Sequence, residues 1–376
     1  MADSASYYRA VDARPCRLVL VVAAGEPGGL ERLLAQICEG VAARGAAVDL
    51  VRVPNRRDTV PSPLAATLPV RSVTDILSSQ IEDMRRGVLA VLRRAPADVA
   101  CFVGGWAITL ADTARIAWPL AHVVTMQLNA LDGLASNRIM AAMVDRVVVE
   151  SHAVAAALVG AGETGDRIVV VPSGIDLAAF GPGPRDAALA ARMGLRPGMP
   201  VVAYAGRLSA EKGPLDFVAA ASMLAERDVE LAMIGDGPSA QAVERAIDAA
   251  GLTGRIRRYR AAPEEMPAIH RLIDVMVIPS RMDGRPQAAM EAMATGTAVV
   301  ATDVGGIPEL IEDAVDGHLR PAAAPALLAE AAGALIDAPD TRTRIGAAAR
   351  RRARAAFDMR RNRPQLAHAI LGAPAP

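Results

Sequence analysis

The sequence predicts an α/β protein of two domains, each a doubly wound parallel sheet with helices on both faces, set across a cleft from one another. Three observations carry that reading. Short Val/Ile/Leu/Ala runs alternate with longer helix-like stretches, the pattern of parallel strands buried on both faces. The alternation halts at Pro172-Ser173-Gly174-Ile175-Asp176 and a Gly- and Pro-rich stretch to about Gly183, then begins again. The 376 residues suit two domains of ordinary size.

The elements follow in order. Arg17–Ala24 reads as the first strand. Gly29–Arg44 reads as a helix, because Leu30, Leu33, Leu34, Ile37 and Val41 recur at helical spacing. Ala47–Val53, Val99–Val103, His122–Gln127, Arg146–Glu150 and Ile168–Val171 are the next strands, with a loop over Asn55–Pro69. Past the break, strands are expected at Val201–Ala205, Glu230–Ile234, Arg255–Tyr259, Val275–Pro279 and Ala298–Thr302. The Arg-rich tail Arg342–Leu371 reads as helical.

Composition narrows the function. With 52% apolar residues a packed core is easily supplied. Zero net charge argues against a protein that coats nucleic acid or an anionic membrane, and 3% aromatics argue against base stacking. Cys16, Cys38 and Cys101 match no metal-ligand spacing, so buried thiols in a reducing compartment are expected. The N-terminal stretch to Pro15 is polar and mixed in charge, and no apolar run reaches about 18 residues. Neither a secretory leader nor a membrane span is expected, and the cytoplasm is the default location. The chain has forty Arg and one Lys, Lys212, a skew like that of a GC-rich genome that replaces Lys wherever Arg serves. A surviving Lys then marks a place where an ammonium is needed, unless it survives by chance.

In open parallel sheets, ligands bind beyond the carboxyl ends of the strands, so three strand-following segments stand out. Gly206-Arg207-Leu208-Ser209-Ala210-Glu211-Lys212-Gly213 sets a guanidinium and an ammonium across a Gly-bounded turn. Such a pair suits a diphosphate, although two surface cations near a turn are also common. Pro279-Ser280-Arg281-Met282-Asp283-Gly284-Arg285-Pro286-Gln287-Ala288-Ala289-Met290-Glu291 places Asp283 and Glu291 around a loop that turns into a helix. That helix start offers N–H groups to a phosphate, and Glu291, one turn on, can accept from ribose hydroxyls. The plainer alternative is a helix-start acid and a solvated Glu291. Thr302-Asp303-Val304-Gly305-Gly306-Ile307-Pro308-Glu309 pairs two glycines that allow close backbone approach to a ligand, or simply make a tight strand-to-helix turn.

Together the segments resemble the donor-site signatures of the GT-B glycosyltransferases of family 4: G-R-x4-K-G, P-S-x2-E-G-x6-E-A-M and G-G-x-P-E, in that order. The resemblance covers nearly the full chain. It implies a GT-B fold of two Rossmann-like domains and a retaining, metal-independent, cofactor-free transfer. The donor is a UDP- or GDP-sugar, and the acceptor a hydroxyl of a small molecule or lipid. Arg207 and Lys212 then bind the diphosphate and neutralise the leaving group. Glu291 holds ribose, Asp283 contacts the transferred sugar, and Arg285, Gln287 and Ala288 contact sugar and β-phosphate beside Gly305, Gly306 and Glu309. Gly25-Glu26-Pro27-Gly28-Gly29-Leu30-Glu31-Arg32 resembles the family's G-G-x-E-R loop, which brings Gly28 and Gly29 to the diphosphate. Ala355 through Leu371 resembles the final helix that crosses back onto the first domain. The implied domains are residues 1–184 (acceptor), 185–355 (donor) and 356–376 (closing helix).

The chain departs from the family in three places. Gln127 stands where many members carry a His that contacts the transferred sugar, and Gln cannot take up a proton near neutral pH. Asp283 replaces the usual Glu and draws the carboxylate back by roughly 1.5 Å. Pro286 removes an N–H from the loop. All three bear on the choice of sugar. An epimerase-like nucleotide-sugar enzyme and a catalytically weak sugar-nucleotide-binding partner subunit stay open as alternatives. Arg56, Arg57, Arg85, Arg86, Arg93 and Arg94 offer a basic face to an anionic acceptor or a membrane, but net neutrality favours a solvated helix face. A monomer or homodimer is expected, with a secondary-metabolite or thiol-precursor acceptor. His122, His270, His318 and His368 are read as packing or surface residues.

Overall fold

A computed structural model describes residues 16–24, 29–54, 68–78, 80–128 and 143–372. The first sheet is parallel, in the order β3-β2-β1-β4-β5-β6-β7. Its strands are β1 Arg17–Ala24, β2 Ala47–Pro54, β3 Ser72–Asp75, β4 Val99–Val103, β5 His122–Gln127, β6 Arg146–Val149 and β7 Ile168–Val170. The second sheet is also parallel, in the order β10-β9-β8-β11-β12-β13. It comprises β8 Val201–Ala205, β9 Glu230–Ile234, β10 Ile256–Tyr259, β11 Val275–Ile278, β12 Ala298–Thr302 and β13 His318–Arg320. Strand order reverses between β1 and β4 and again between β8 and β11. Each reversal opens a crevice at the carboxyl ends of the strands.

The apolar runs explain the layers. Leu18, Leu20 and Val22 of β1 enter one core cluster, while Val19, Val21 and Ala23 enter another. Val201, Ala203 and Ala205 of β8 likewise part from Val202 and Tyr204. Side chains alternate across a strand, so an unbroken apolar run fills both faces. Among the described residues, the first domain's helices are α1 Gly29–Ala42, α2 Ile81–Arg94, α3 Gly105–Ile108, α4 Asp112–Ala117 and α5 His152–Gly160. The second adds α6 Ala187–Arg192, α7 Pro214–Leu224, α8 Ala240–Ala249, α9 Met266–His270, α10 Gln287–Thr295, α11 Ile307–Leu310, α12 Pro325–Asp337 and α13 Pro339–Ala356. The last helix, α14 Met359–Leu371, returns to the first domain and packs on α1. It places Leu366, Ile370 and Leu371 in the cluster that holds Ile37 and Val41, and such burial contributes about 2 kcal/mol per side chain.

The tail is helical as expected and forms two helices that meet at Phe357-Asp358. The chain breaks at Phe357-Asp358 because its backbone there runs beside the other interdomain crossing. Ile175 N–H donates to the Phe357 carbonyl (2.7 Å), and Met359 N–H donates to the Ile175 carbonyl (3.1 Å). Asp358 caps α14 by accepting from Arg360 N–H at 2.9 Å. Gln36 clamps Gly174 on both sides, donating to its carbonyl at 2.8 Å and accepting from its N–H at 3.1 Å. A Cβ on Gly174 would stand 2.5 Å from the Met359 backbone, so the two crossings touch only because that residue is glycine. Residues 55–67 of the expected loop lie outside the described residues, as do Arg56 and Arg57. Among the described residues no helix is long and apolar enough to cross a membrane. Cys38 and Cys101 are buried in the first core.

Candidate functional site

The β8–α7 loop supplies two cations. The Tyr204 hydroxyl donates to the Arg207 carbonyl at 2.7 Å and sets the turn. The Arg207 guanidinium is exposed and lies 3.5 Å from Glu211. Burial acts to raise the Glu211 carboxyl, but the Ser209 hydroxyl, its own N–H, Arg207 and Lys212 outweigh it and hold the group below its ordinary range. Lys212 Nζ lies 2.6 Å from Asp283 Oδ2, which also accepts from the Ser280 hydroxyl at 3.1 Å. This pair ties the β8–α7 loop to the β11–α10 loop.

The β12–α11 turn lies directly against the β11–α10 loop. Gly306 N–H donates to the Asp283 carbonyl at 3.0 Å. A Cβ on Gly305 (φ +55°) would sit 2.0 Å from the Asp283 carbonyl oxygen, and one on Gly306 1.9 Å from that of Gly284. The close approach these glycines allow is thus to the neighbouring loop. The first turn of α10, at Gln287 and Ala288, is partly exposed and has no side-chain cap after Pro286, which leaves N–H groups for an anion.

The first domain meets the site at several points. A Cβ on Gly29, at the start of α1, would contact the Gln287 side chain at 3.1 Å. The Gln287 amide donates to the Ser173 hydroxyl at 3.1 Å. Buried Arg285 turns toward the linker, donating to the Ser173 carbonyl at 3.2 Å with its guanidinium 5.2 Å over the Phe357 ring. Its charge faces Glu150 and Glu309. Burial raises the Glu150 carboxyl despite opposing contacts from Ser173 and Arg285. Glu309 places one carboxylate oxygen 3.0 Å from His152 N and the other 2.8 Å from Ala153 N, so it clasps the start of α5. Glu291 is 1% exposed. It is ion-paired with Arg32 of α1 and lies 3.0 Å from His270 Nε2.

Arg207, Lys212, Asp283, Gly305 and Gly306 thus share one loop cluster, and Gly29, Arg285, Gln287 and Ala288 lie where the domains meet. Glu291 and Glu309 are engaged by protein groups. Gln127 is buried at the end of β5, and Gly28 lies outside the described residues. Of the basic face, Arg85 is paired with Asp112 and Arg86 with Asp83. Sequence reasoning missed His270, Glu150 and Ser173, and it gave Arg32 no role. Arg32 lies in the G-G-x-E-R segment, and Glu150 ends an expected strand. Nothing local signals that Arg32 meets Glu291, or Glu150 and Ser173 meet Arg285, across the domain boundary, or that His270 meets Glu291 within the second domain.

Two parallel-sheet domains, with the site loops gathered at a strand-order reversal, define the GT-B class. Residues 188–352 match the family described as "Glycosyl transferases group 1" and residues 27–179 that described as "Glycosyltransferase Family 4". The chain belongs to these group 1, family 4 glycosyltransferases. Over 213 residues it is 37% identical to a D-inositol 3-phosphate glycosyltransferase of Nocardia farcinica, covering 54% of this chain and 47% of the relative. To the enzyme of that name in Salinispora tropica it is 32% identical over 273 residues, covering 66% and 56%. The chain spans about half the length of the curated relatives it matches. Its fold resembles Anabaena HepE in complex with UDP-glucose, with a TM-score of 0.80, 20% identity, and coverage of 95% of this chain and 100% of that one. At that identity the likeness is one of fold.

Proposed function

We propose that the chain moves a sugar from a nucleotide-diphosphate sugar to a hydroxyl group, with retention at the anomeric carbon and without a metal ion. The observation that carries this reading is the Lys212–Asp283 pair. A cation suited to a diphosphate and a carboxylate suited to sugar hydroxyls stand 2.6 Å apart, where the loops after β8 and β11 meet at the strand-order reversal. In this reading Arg207 and Lys212 bind the diphosphate and offset the charge that builds on the leaving group. The first turn of α10, at Gln287 and Ala288, and the Arg285 backbone face the β-phosphate. Gly29, whose Cβ position meets Gln287 at the start of α10, approaches the diphosphate from the first domain. Asp283 accepts from the sugar and Glu291 from the ribose, while Glu309 holds α5 at the rim.

The bond from the anomeric carbon to the β-phosphate oxygen breaks, and the acceptor oxygen bonds on the same face. The acceptor proton passes to the departing phosphate oxygen. That route needs no base at Gln127, whose amide hydrogen-bonds without titrating. The test is a panel of UDP- and GDP-sugars with an acceptor pool. UDP-glucose, from the fold neighbour, and D-inositol 3-phosphate, from the relatives' name, belong in it. The expected result is donor loss with a new glycoside of unchanged anomeric configuration, insensitive to EDTA. Interconversion of the donor without acceptor would replace this reading with an epimerase-like one. Saturable binding without turnover would replace it with a binding subunit. Failure to bind any nucleoside diphosphate would sink all three.

A further inference from the structure

We infer that His270 is a positioning residue for the nucleotide's ribose: it donates from Nε2 to Glu291 and fixes the plane in which that carboxylate meets the ribose hydroxyls. The inference rests on the reading of Glu291 given above. His270 ends α9, has no exposed surface, and places Nε2 3.0 Å from Glu291 Oε2. Its Nδ1 is buried with no hydrogen-bond partner among the described residues. A ring protonated on Nδ1 would strand that N–H and turn the Nε2 lone pair on the carboxylate, and a doubly protonated ring would strand the same N–H. A neutral ring with its proton on Nε2 satisfies the geometry at the least cost. Burial, with Arg32 as the second cause, pushes the ring down to about 3, so it stays neutral at working pH. Phe180 packs edge-on at 5.6 Å and 80° and locks the ring plane.

The consequence falls on Glu291. A buried carboxylate is oriented by its partners, and here they are of two kinds. Oε2 is held by His270 from within the same domain. Oε1 is held by Arg32 across the domain boundary, and that guanidinium also lies 5.6 Å over the Phe180 ring. The neutral donor stays when the domains part, whereas the cation leaves with α1. Oε1 then exchanges Arg32 for a ribose hydroxyl, and its direction is already set by His270.

Two measurements test this. Long-range proton–nitrogen NMR on the whole chain should show His270 as the Nε2–H tautomer from about pH 5 to 8, and an Nδ1–H tautomer overturns the inference. Calorimetry should compare UDP or GDP, whichever binds more tightly, with its 2′- and 3′-deoxy analogues and with pyrophosphate. Wild type should prefer the ribonucleotide by about tenfold or more, the scale of a hydrogen bond to a charged group. His270→Phe should lose most of that preference while pyrophosphate affinity holds within about twofold, and His270→Gln, which carries an N–H near the Nε2 position, should restore it. Preference retained in His270→Phe, or pyrophosphate affinity lost along with it, overturns the positioning role. No ribose preference in wild type overturns the reading of Glu291 itself.

Discussion

Lys212 is the one lysine of the chain, and its ammonium rests on a carboxylate that is 6% exposed. Lys212→Ala leaves Asp283 buried without its cation and, on the proposed function, the diphosphate without one of its two charges. Turnover should fall by about 10²–10³-fold, the scale of removing one preorganised charge-stabilising group. The melting temperature should fall by only a few degrees, the scale of roughly 1–2 kcal/mol in a domain of this size. Lys212→Arg should recover little, because a planar fork does not replace a compact ammonium. Steady-state kinetics with thermal denaturation checks both, and turnover within a few-fold of wild type removes Lys212 from the diphosphate site. His270 makes a second residue-level prediction. Its folded value of about 3 lies below the 6.5 of an ordinary histidine, so between those values the unfolded chain binds the extra proton. Its contribution is full above about pH 6.5 and drains as pH falls toward 3, by about 2 kcal/mol between pH 7 and 5. Urea denaturation should show that loss in wild type and not in His270→Phe. An equal loss in both assigns it to other groups.

At the scale of elements, α5 depends on the other domain for its start. Ser151 caps it by accepting from Val154 N at 3.3 Å, and Glu309 takes the two N–H groups before that. Losing a cap of this kind costs about 1 kcal/mol. Glu309→Ala should therefore raise hydrogen exchange at His152 and Ala153 by about fivefold while the core of β6 holds. Unchanged exchange at those amides would falsify the clasp. The elements also show what was legible in the sequence. β4, β5, β8, β9 and β12 fall where the apolar runs place them, because strands buried on both faces must be apolar throughout. β3 and β13 went unseen. Ser72–Asp75 and His318–Arg320 are short, polar edge strands held mainly by pairing with β2 and β12. The loop residues of the site were legible as local patterns, since Arg207, Lys212, Asp283, Gly305 and Gly306 all follow strands at one edge. Their partners were not, because Arg32 with Glu291, Glu309 with α5, and Arg285 with Ser173 are pairings that only the docking of two domains creates.

At the scale of the whole molecule, the two domains are joined at the site itself. Arg32 occupies Glu291, which the proposed function assigns to the ribose, while the α5 start takes Glu309 and Ser173 of the linker holds the Arg285 and Gln287 side chains. A nucleotide entering this closed arrangement competes with the protein's own contacts, so its apparent affinity carries the cost of parting them. Arg32 is the contact that can be removed without touching the expected donor ligands of the second domain. Its side chain is 31% exposed and its partner carboxylate 2% exposed, so removing the cation leaves a nearly buried charge without compensation. In Arg32→Gln that competition is gone, and Glu291 is left buried in need of a donor, which a ribose hydroxyl supplies. The dissociation constant for the nucleoside diphosphate should therefore fall by about three- to tenfold. The ligand-free radius of gyration by small-angle scattering should rise, because one interdomain contact is lost. Pyrophosphate affinity should barely move, since the change acts at the ribose end of the site. A weaker nucleotide affinity in Arg32→Gln would reverse the conclusion: Arg32 would then stay on Glu291 in the bound state and belong to the site, and the closed cleft would be the form that binds.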